Sequence, residues 1–526
     1  MSKKLILGLF LLTALWSGIG RAEEALNKNY IYLETWQTDK IENTAQELLT
    51  KKDLAAEEEW FLGLFYFYTG DYNRATFYLK NAGAKKPGDT NWQGFSSFVE
   101  KTGQITKNFA TYQSPHFILR LDKKDEILAG YALEALEKGY QAVGQDLAYF
   151  PERKVLVEIY PTSEDFNFTS SLSKRDMETS GAIGICKFNR LMIVSPRCLA
   201  FGFRWLDALV HEYTHFVVNR KSNIRCPLWL HEGIARFEEK RWFSADRRDY
   251  LTLVDSSLLK QALDDYKMIS FEKMSPSLVK LETQREVALA FAEVASAVDY
   301  LATAYRPQIL PEILEKLKEN PDYKTVIAEL INNRYKKFEE GWLNFIEEMN
   351  LTVTPGIILE SFKLKDDKVD YEAQVYLGVR LADSMRLGDM FHQRGKLEIA
   401  IEQYKKALKL QSYNPVVLNR LGKTYAELND FKQAEAAYKE AIKMNPNYVT
   451  SYTSLGDLYF YAKDTAGALA NYQESNRLNP FNPVIHKNMG LIYYQTERRK
   501  AIEEWKVAAE LDPRDLEVQG WLMNSR

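Results

Sequence analysis

Two histidines one helical turn apart are the residues of this chain that are best placed for chemistry. They open and close the segment His211-Glu212-Tyr213-Thr214-His215. On a helix, positions i and i+4 lie on one face, about 5–6 Å apart at Cβ, so both imidazoles can bind one metal ion at about 2.0–2.1 Å. Glu212 lies beside that ion, where its carboxylate can accept a proton from the water that the metal activates. The pattern H-E-x-x-H therefore predicts a catalytic zinc site.

The surroundings of this pattern make a chance match uncommon. The chain has only six histidines in 526 residues, and three of them lie between positions 211 and 231. The neighbouring apolar residues follow the spacing of a buried helix, namely Leu209, Val210, Tyr213, Phe216 and Val217. A catalytic helix must be buried because its site has to exclude bulk water. The alternative interpretation is a core helix that carries two histidines by chance.

Two histidines do not complete a catalytic zinc site, which usually has three protein ligands and one water. The candidates for the third ligand are Glu232, His231, Glu238 and Glu239. Pro227 is typical of the first turn of a helix, which places Glu232 in the second turn of a helix that crosses the first. We expect Glu232 to be the ligand, because His231 points about 100° away from it. Glu238 or Glu239 could then hydrogen-bond a ligand histidine from outside, the alternative being a solvated helix face.

These residues also carry a resemblance to a known family. H-E-Y-T-H, followed by W-L-H-E-G-I-A-R-F-E-E over 229–239, resembles the gluzincin metallopeptidases, and within them the peptidase MA-like group of bacterial exported proteins. The resemblance covers about 111–348. It implies one Zn²⁺ per chain. It also implies a strand at 114–121, a long helix at 123–148, a strand at 154–160, strands edging the cleft over 181–194, and closing helices over 286–346.

The chain departs from this family in a few positions. The gap between the second histidine and the glutamate is shorter than in aminopeptidase-N-like enzymes, and His231 replaces the Asn of their W-L-N-E-G segment. Phe291 stands where the family often has a tyrosine. The candidate for an oxyanion-stabilising tyrosine is therefore Tyr300, the alternative being a core or surface tyrosine. Because no segment like G-x-M-E-N precedes the first histidine, we expect an endopeptidase.

The composition and the N-terminus bear on location. The net charge of −3 does not indicate the basic surface that binds nucleic acid. Lys3-Lys4, an apolar run from Leu5 to Trp16 and small residues up to Ala22 are typical of a signal peptide cleaved after Ala22, with a retained anchor as the alternative. The run is too short for a membrane span, and no other long apolar run follows. We therefore expect an exported protein, periplasmic or secreted, with no stable membrane span after cleavage.

Three cysteines, Cys186, Cys198 and Cys226, flank the H-E-x-x-H segment. In an oxidising compartment, one pair could form a disulfide and leave one thiol over. Small buried hydrophobic residues are the alternative interpretation.

The C-terminal third of the chain repeats every 34 residues. Leu or Met precedes Gly388, Gly422, Gly456 and Gly490, and an aromatic residue follows three positions after each glycine. This spacing matches the tetratricopeptide pattern, so we expect four repeats with a concave face that binds a protein partner. The last repeat is one residue short, which predicts an irregular turn after Tyr494.

A further repeat-like segment near the N-terminus predicts helical hairpins there as well; it contains Leu62-Gly63, Tyr66, Gly70, Ala75 and Ala82. The predicted fold class is mostly α with one α+β domain. The predicted organisation is a signal peptide at 1–22, an N-terminal helical region at 23–110, a peptidase MA-like domain at 111–350, a linker at 351–380, four repeats at 381–516 and a tail at 517–526.

The favoured hypothesis is a zinc-dependent peptidase in which His211, His215 and Glu232 hold the metal and Glu212 is the general base. The strands over 181–194 would offer an edge for an extended peptide, and the repeats would recruit a substrate or partner protein. One alternative is an inactive scaffold whose repeats carry the function, although a degenerate site would be expected to lose Glu212 first. Another is a zinc hydrolase that acts on a different bond.

Overall fold

The computed structural model describes residues 29–173, 183–199, 203–275, 281–357 and 379–525, with the single residues 177, 278 and 359. The predicted signal peptide and most of the predicted linker lie outside the described residues. The chain divides into two compact units, with the boundary after Lys107. This boundary lies close to the predicted start of the second domain.

The first unit is helical, as the spacing of its residues predicts. Gly63 faces Leu79 across a helical hairpin, since a Cβ on Gly63 would lie 2.6 Å from Leu79 Cδ2. Gly70 forms the turn of this hairpin with a φ of 82°, a conformation that favours glycine. The helices are α1 (Glu42–Leu49), α2 (Ala56–Tyr68), α3 (Tyr72–Lys85) and α4 (Thr90–Thr106), preceded by a 3-10 turn at Thr38–Ile41.

The second unit opens with a five-stranded mixed sheet. Its strands are β1 (Ala110–Gln113), β2 (Phe117–Leu121), β3 (Val155–Tyr160), β4 (Gly184–Lys187) and β5 (Arg190–Val194), in the order β1-β2-β3-β5-β4. The pairs β2–β3 and β3–β5 are parallel, and β1–β2 and β4–β5 are antiparallel. Every residue of β3 is buried, as expected for a central strand covered on both faces. The strand β4 forms one edge of the sheet.

Helices cover this sheet and build the main core. They are α5 (Leu128–Asp146), α6 (Ser163–Ser170), α7 (Trp205–Ser222), α8 (Leu228–Glu238), α9 (Leu253–Asp264), α10 (Gln284–Ala304), α11 (Ile309–Leu317), α12 (Tyr323–Leu330) and α13 (Tyr335–Glu348). The helix α7 is central, because it packs against α5, α8 and α11 and against β4 and β5. It ends at Asn223, which has a φ of 52°, a left-handed cap that asparagine tolerates.

Among the described residues, one helix is long and apolar enough to cross a membrane by length and composition alone. This is α10, Gln284–Ala304, and 67% of its most apolar window is buried inside the protein. It packs against α8, α9 and α13. Its apolar character is therefore accounted for by its place in the core.

The C-terminal part consists of helical hairpins. In each hairpin, a glycine of the first helix lies against an aromatic ring of the second. The contact is so close that a Cβ on the glycine would clash with the ring. The pairs are Gly388–Tyr404, Gly422–Tyr438, Gly456–Tyr472 and Gly490–Trp505. The helices are α14 (Val379–Gln393), α15 (Leu397–Leu410), α16 (Pro415–Glu427), α17 (Phe431–Met444), α18 (Val449–Tyr461), α19 (Thr465–Leu478), α20 (Pro483–Tyr493) and α21 (Arg498–Leu511). The mostly helical fold class with a small sheet is confirmed.

The last hairpin differs from the other three in its turn and in the helix that follows it. The turns of the first three hairpins each contain a residue with positive φ, at Gly395, Asn429 and Lys463, whereas none of the described residues 494–497 has one, so this turn is irregular. The residues assigned to a tail form a further helix, α22 (Leu516–Asn524). Val518 is fully buried and the Trp521 ring lies 5.1 Å from that of Trp505, so α22 caps the open face of the last repeat.

Candidate metal centre

The helix α7 places His211 and His215 on one face. Their ring centroids are 4.7 Å apart, and the flanking residues Val210, Phe216 and Val217 are buried in the main core. The apolar spacing that predicted a buried helix therefore orients the two imidazoles toward the same space.

The third side chain of the site comes from α8. Pro227 caps this helix at its start, and the backbone at Gly233 lies directly against α10, since a Cβ there would lie 2.5 Å from the carbonyl oxygen of Val294. This close approach brings the preceding residue, Glu232, to the two histidines. Its Oε2 lies 3.6 Å from Nε2 of His211 and 3.5 Å from Nε2 of His215.

These distances test whether the three residues fit a metal ion. Ligand atoms at about 2.0–2.2 Å from one tetrahedral centre are about 3.3–3.6 Å apart, which matches the separations from Glu232. The three ligand atoms all lie within 4.8 Å of one another. The side chains of His211, His215 and Glu232 are 16%, 10% and 19% exposed, so the group is shielded but reachable from solvent. Two imidazoles and a carboxylate are a donor set that suits zinc.

The far side of His211 is supported by a carboxylate. Its Nδ1 donates to Oε2 of Glu239 at 3.2 Å, and Arg236 pairs with the other oxygen of Glu239. Burial lowers the pKa of His211, but hydrogen bonds to Glu232 and Glu239 and the charge of Glu212 outweigh it and raise the pKa to about 10. The structure thus places Glu239 where a carboxylate orients a metal-binding imidazole.

Glu212 lies between the two histidines and the edge strand β4. A Cβ on Gly184 would lie 2.8 Å from Glu212 Cγ, so the glycine makes room for this side chain. Burial raises the pKa of the Glu212 carboxyl, although His215 and His211 oppose the shift. Among the described residues, no group hydrogen-bonds Oε2 of Glu212 or Nδ1 of His215. A buried carboxylate oxygen with no protein partner is suited to bind a water molecule or a substrate group.

His231 has a different place from Glu232, as its position on α8 predicts. Its ring stacks on His215 with centroids 4.3 Å apart and an interplanar angle of 10°. Its Nε2 lies 3.0 Å from Oδ1 of Asn219. Burial, followed by the charge of His215, lowers the pKa of His231 to about 3. The side chain is therefore a neutral support for His215 and not a member of the three-residue group.

The structure does not bring Glu238 or Tyr300 to this group. Glu238 is fully buried and lies 3.5 Å from Nη1 of Arg247. The hydroxyl of Tyr300 lies against Gly341 on α13 and 3.5 Å from that of Tyr305. The physical reason is helical phase, because Val298 faces α8 and a residue two positions later is turned by about 200°. The placement corrects the expectation that Tyr300 faces the metal ligands.

The three cysteines are free thiols. Burial, with the charge of Glu212, raises the pKa of Cys186 well above its usual value, and burial alone does so for Cys226. Burial also raises the pKa of Cys198 to about 12. All three are partly buried, and their raised pKa values favour the protonated thiol over the reactive thiolate.

Three residues of this site carry no signal of their own in the sequence. Gly184 matters only because β4 lies beside α7, and Asn219 only because α7 and α8 cross. Arg236 is one of many arginines until Glu239 is seen to accept from His211. For Arg236, the available sequence signal was its position three residues before Glu239, a spacing at which two side chains on a helix can pair.

Comparison with known proteins supports the helical repeats. A model of the TPR repeat matches residues 388–429, and a model of the tetratricopeptide repeat matches residues 415–448. The C-terminal hairpins are tetratricopeptide repeats. No curated protein matches this chain.

Several solved structures are similar to part of the chain. MamA 41-end from Desulfovibrio magneticus RS-1 is 22% identical, with 28% of this chain and 84% of that chain covered and a TM-score of 0.26. A crystal structure of MamA protein is 25% identical, with coverages of 28% and 82% and a TM-score of 0.26. The first TPR of Spaghetti (RPAP3) bound to the HSP90 peptide SRMEEVD is 18% identical, with coverages of 29% and 94% and a TM-score of 0.17.

Proposed function

We propose that this protein is a zinc-dependent metallopeptidase. The observation that supports the proposal is the spacing of Glu232 Oε2 from the two histidine Nε2 atoms, 3.6 and 3.5 Å, because it is the spacing of ligands around one small cation. His211, His215 and Glu232 would hold the ion, and Glu239 would orient His211. The resemblance of these segments to the gluzincins favours the same assignment.

Zinc held by these residues would polarise the substrate carbonyl and make water more acidic. Glu212 would accept the proton of the attacking water and pass it to the leaving amine, so that water adds to the carbonyl carbon as the C–N bond breaks. Burial raises the pKa of this carboxyl, which favours the first transfer because a more basic carboxylate is a better acceptor for the proton of water. The room beside Gly184 keeps this side chain next to the metal ligands.

The substrate would bind along β4. This strand is the last one of the described sheet on that side, and Gly184 and Cys186 on it border Glu212. An extended peptide could add to such an edge through backbone hydrogen bonds. The absence of a recognition segment for a free amine ahead of His211 favours an endopeptidase.

The tetratricopeptide repeats support a role in protein interaction. Within the proposed function, they would recruit a protein substrate or an adaptor through their concave face. Export is the expected setting, since residues 1–22 have the pattern of a signal peptide. The family models that match the repeats favour the second candidate function, a scaffold whose metal domain has no catalytic role.

Three variants separate these possibilities. Glu232→Ala should abolish stoichiometric zinc binding, because one ligand is lost, whereas Glu212→Gln should keep zinc and lose hydrolysis. Glu238→Gln is a matched control on the same helix, because Glu238 is buried away from the three-residue group, beside Arg247, and the amide keeps the size of its side chain. Zinc content and cleavage of a mixture of quenched fluorescent peptides are the measurements.

The outcomes have distinct meanings. A folded wild-type protein without zinc would reject the enzyme and favour the scaffold. Zinc binding together with hydrolysis that survives Glu212→Gln would reject Glu212 as the base. Zinc binding without cleavage of any peptide in the mixture would favour a zinc hydrolase that acts on another bond.

A further inference from the structure

The third repeat and the loop after it lie against the domain that contains the proposed metal ligands. The helix α19 packs on α7. The guanidinium of Arg477 on α19 lies 5.9 Å from the ring of Trp242. Phe481, in the loop after α19, packs against the main core, and Arg197 lies 4.1 Å from its ring. The repeats are therefore part of the same packed body as the metal-binding helix.

A second contact reaches the start of α7. Arg204, the residue that precedes this helix, donates from Nε to Asp207 Oδ2 at 2.6 Å. Burial lowers the pKa of Arg204, but the charge and hydrogen bond of Asp207, followed by smaller effects of Tyr452 and Glu474, outweigh it and raise the pKa. Tyr452 and Glu474 belong to α18 and α19. The carboxylate of Glu474 thus adds to the negative charge that stabilises this partly buried guanidinium.

Both contacts meet at one carboxylate. Asp207 is 4% exposed and accepts two hydrogen bonds, from Arg204 and from Trp242 Nε1 at 2.9 Å. Both donors also interact with the repeats: Arg204 is within electrostatic range of Glu474, and the ring of Trp242 lies 5.9 Å from the guanidinium of Arg477. Asp207 stands one helical turn before His211 on α7, at positions i and i+4.

We propose that the third repeat and the loop after it hold the first turn of α7 in place through Arg204, Trp242 and Asp207, and so position His211 for metal binding. The repeats then have two functions on different surfaces, contact with the chain's own domain and recruitment of another protein. The edge formed by Tyr452, Glu474, Arg477 and Phe481 is used by the chain's own domain, and recruitment is left to the rest of the repeat surface. The consequence for zinc rests on the proposed function, whereas the holding of α7 does not.

The test uses the full chain and a pair of double variants. Arg477→Ala with Phe481→Ala removes both ring contacts, and Arg477→Lys with Phe481→Tyr keeps a cation and a ring at the same places. Arg499→Ala, an exposed residue of the fourth repeat, is the surface control. Trp242→Phe is a separate variant that leaves the sequence of the repeats unchanged. It keeps an aromatic ring but removes the N–H group that donates a hydrogen bond to Asp207.

Two measurements are made on each protein, with circular dichroism to show that the helices remain. The first is amide hydrogen exchange over residues 205–211 in metal-free protein. The second is the dissociation constant of Zn²⁺, with the visible spectrum of the Co²⁺-loaded protein as a report on ligand geometry. We expect exchange about 10-fold faster and zinc binding about 10-fold weaker in the double alanine variant and in Trp242→Phe, with an altered Co²⁺ spectrum. The conservative pair and Arg499→Ala should match the wild type.

Unchanged exchange over 205–211 in either disruptive variant would overturn the inference, because the proposal needs both the repeat contacts and the hydrogen bond from Trp242 to Asp207. So would faster exchange with an unchanged zinc constant and Co²⁺ spectrum, because the first turn would then not position His211. A wild-type protein that binds neither metal would reject the proposed function, and hydrogen exchange alone would then decide whether the repeats hold α7.

Discussion

Replacement of Gly233 by alanine tests how Glu232, the proposed third metal ligand, is positioned. A Cβ at this position would lie 2.5 Å from the carbonyl oxygen of Val294 and 2.8 Å from Val298 Cγ2, whereas ordinary contacts begin at 3.4 Å. The obstacle is backbone, so α8 and α10 must separate by about 1 Å. Overpacking of this kind costs about 1–3 kcal/mol, and the better helix propensity of alanine returns about 1 kcal/mol. We expect a net loss of up to about 2 kcal/mol in the free energy of unfolding.

The same displacement should weaken metal binding. Glu232 directly precedes Gly233, and metal–ligand distances tolerate deviations of only about 0.2 Å. A shift of about 1 Å therefore exceeds what the site can absorb, and we expect zinc affinity to fall by at least about 10-fold. Urea unfolding followed by circular dichroism measures the first effect, and competition with a chromophoric chelator measures the second.

The matched control is Gly130→Ala. Gly130 lies inside α5, and a Cβ there would have no atom within 4 Å. This variant should gain up to about 1 kcal/mol from helix propensity and keep its zinc affinity. If Gly233→Ala is as stable as Gly130→Ala and binds zinc equally well, the close approach of α8 to α10 does not position Glu232, and the reasoning fails.

Three further predictions concern single side chains. Gly184→Ala should displace Glu212, whose Cγ would lie 2.8 Å from the new Cβ, so hydrolysis should fall about 100-fold with zinc content unchanged; equal loss of zinc would contradict this. Glu239→Gln should weaken zinc binding about 10- to 100-fold, and an unchanged constant would show that His211 needs no partner at Nδ1. Burial raises the pKa of Glu293 to about 8 from 4.5, so the folded state favours the protonated acid. The wild type should therefore lose about 1.4 kcal/mol per pH unit between these two values, relative to Glu293→Gln. Parallel stability profiles of the two proteins from pH 5 to 8.5, measured by urea unfolding, would refute that prediction.

Helical phase explains what could be predicted of the site from the sequence. The i, i+4 spacing of His211 and His215 needs no knowledge of the fold, because one helix carries both. The position of Glu232 followed from the helix start at Pro227. Tyr300 shows where this reasoning stops, because the face of α10 that meets α8 is set by packing around Val298, and the sequence gives the phase of a helix but not its partner.

Contacts between distant segments account for the rest. Gly184 makes room for Glu212 only because the hairpin of β4 and β5 lies beside α7, and no local pattern encodes that register. The helix at 516–524 was also outside local reasoning. It is short and would be marginal alone, and Val518 and Trp521 stabilise it by covering the last repeat.

The charges around the site distinguish two of its histidines, His211 and His231. Both are shielded from water by the protein, and this desolvation lowers the pKa of each imidazole. For His211, the carboxylates of Glu232, Glu239 and Glu212 reverse this effect and raise the pKa to about 10. For His231, burial and the neighbouring imidazole of His215 prevail and lower the pKa to about 3. Carboxylates beside both ring nitrogens of His211 favour positive charge at that imidazole, whereas His231 remains a neutral support for His215.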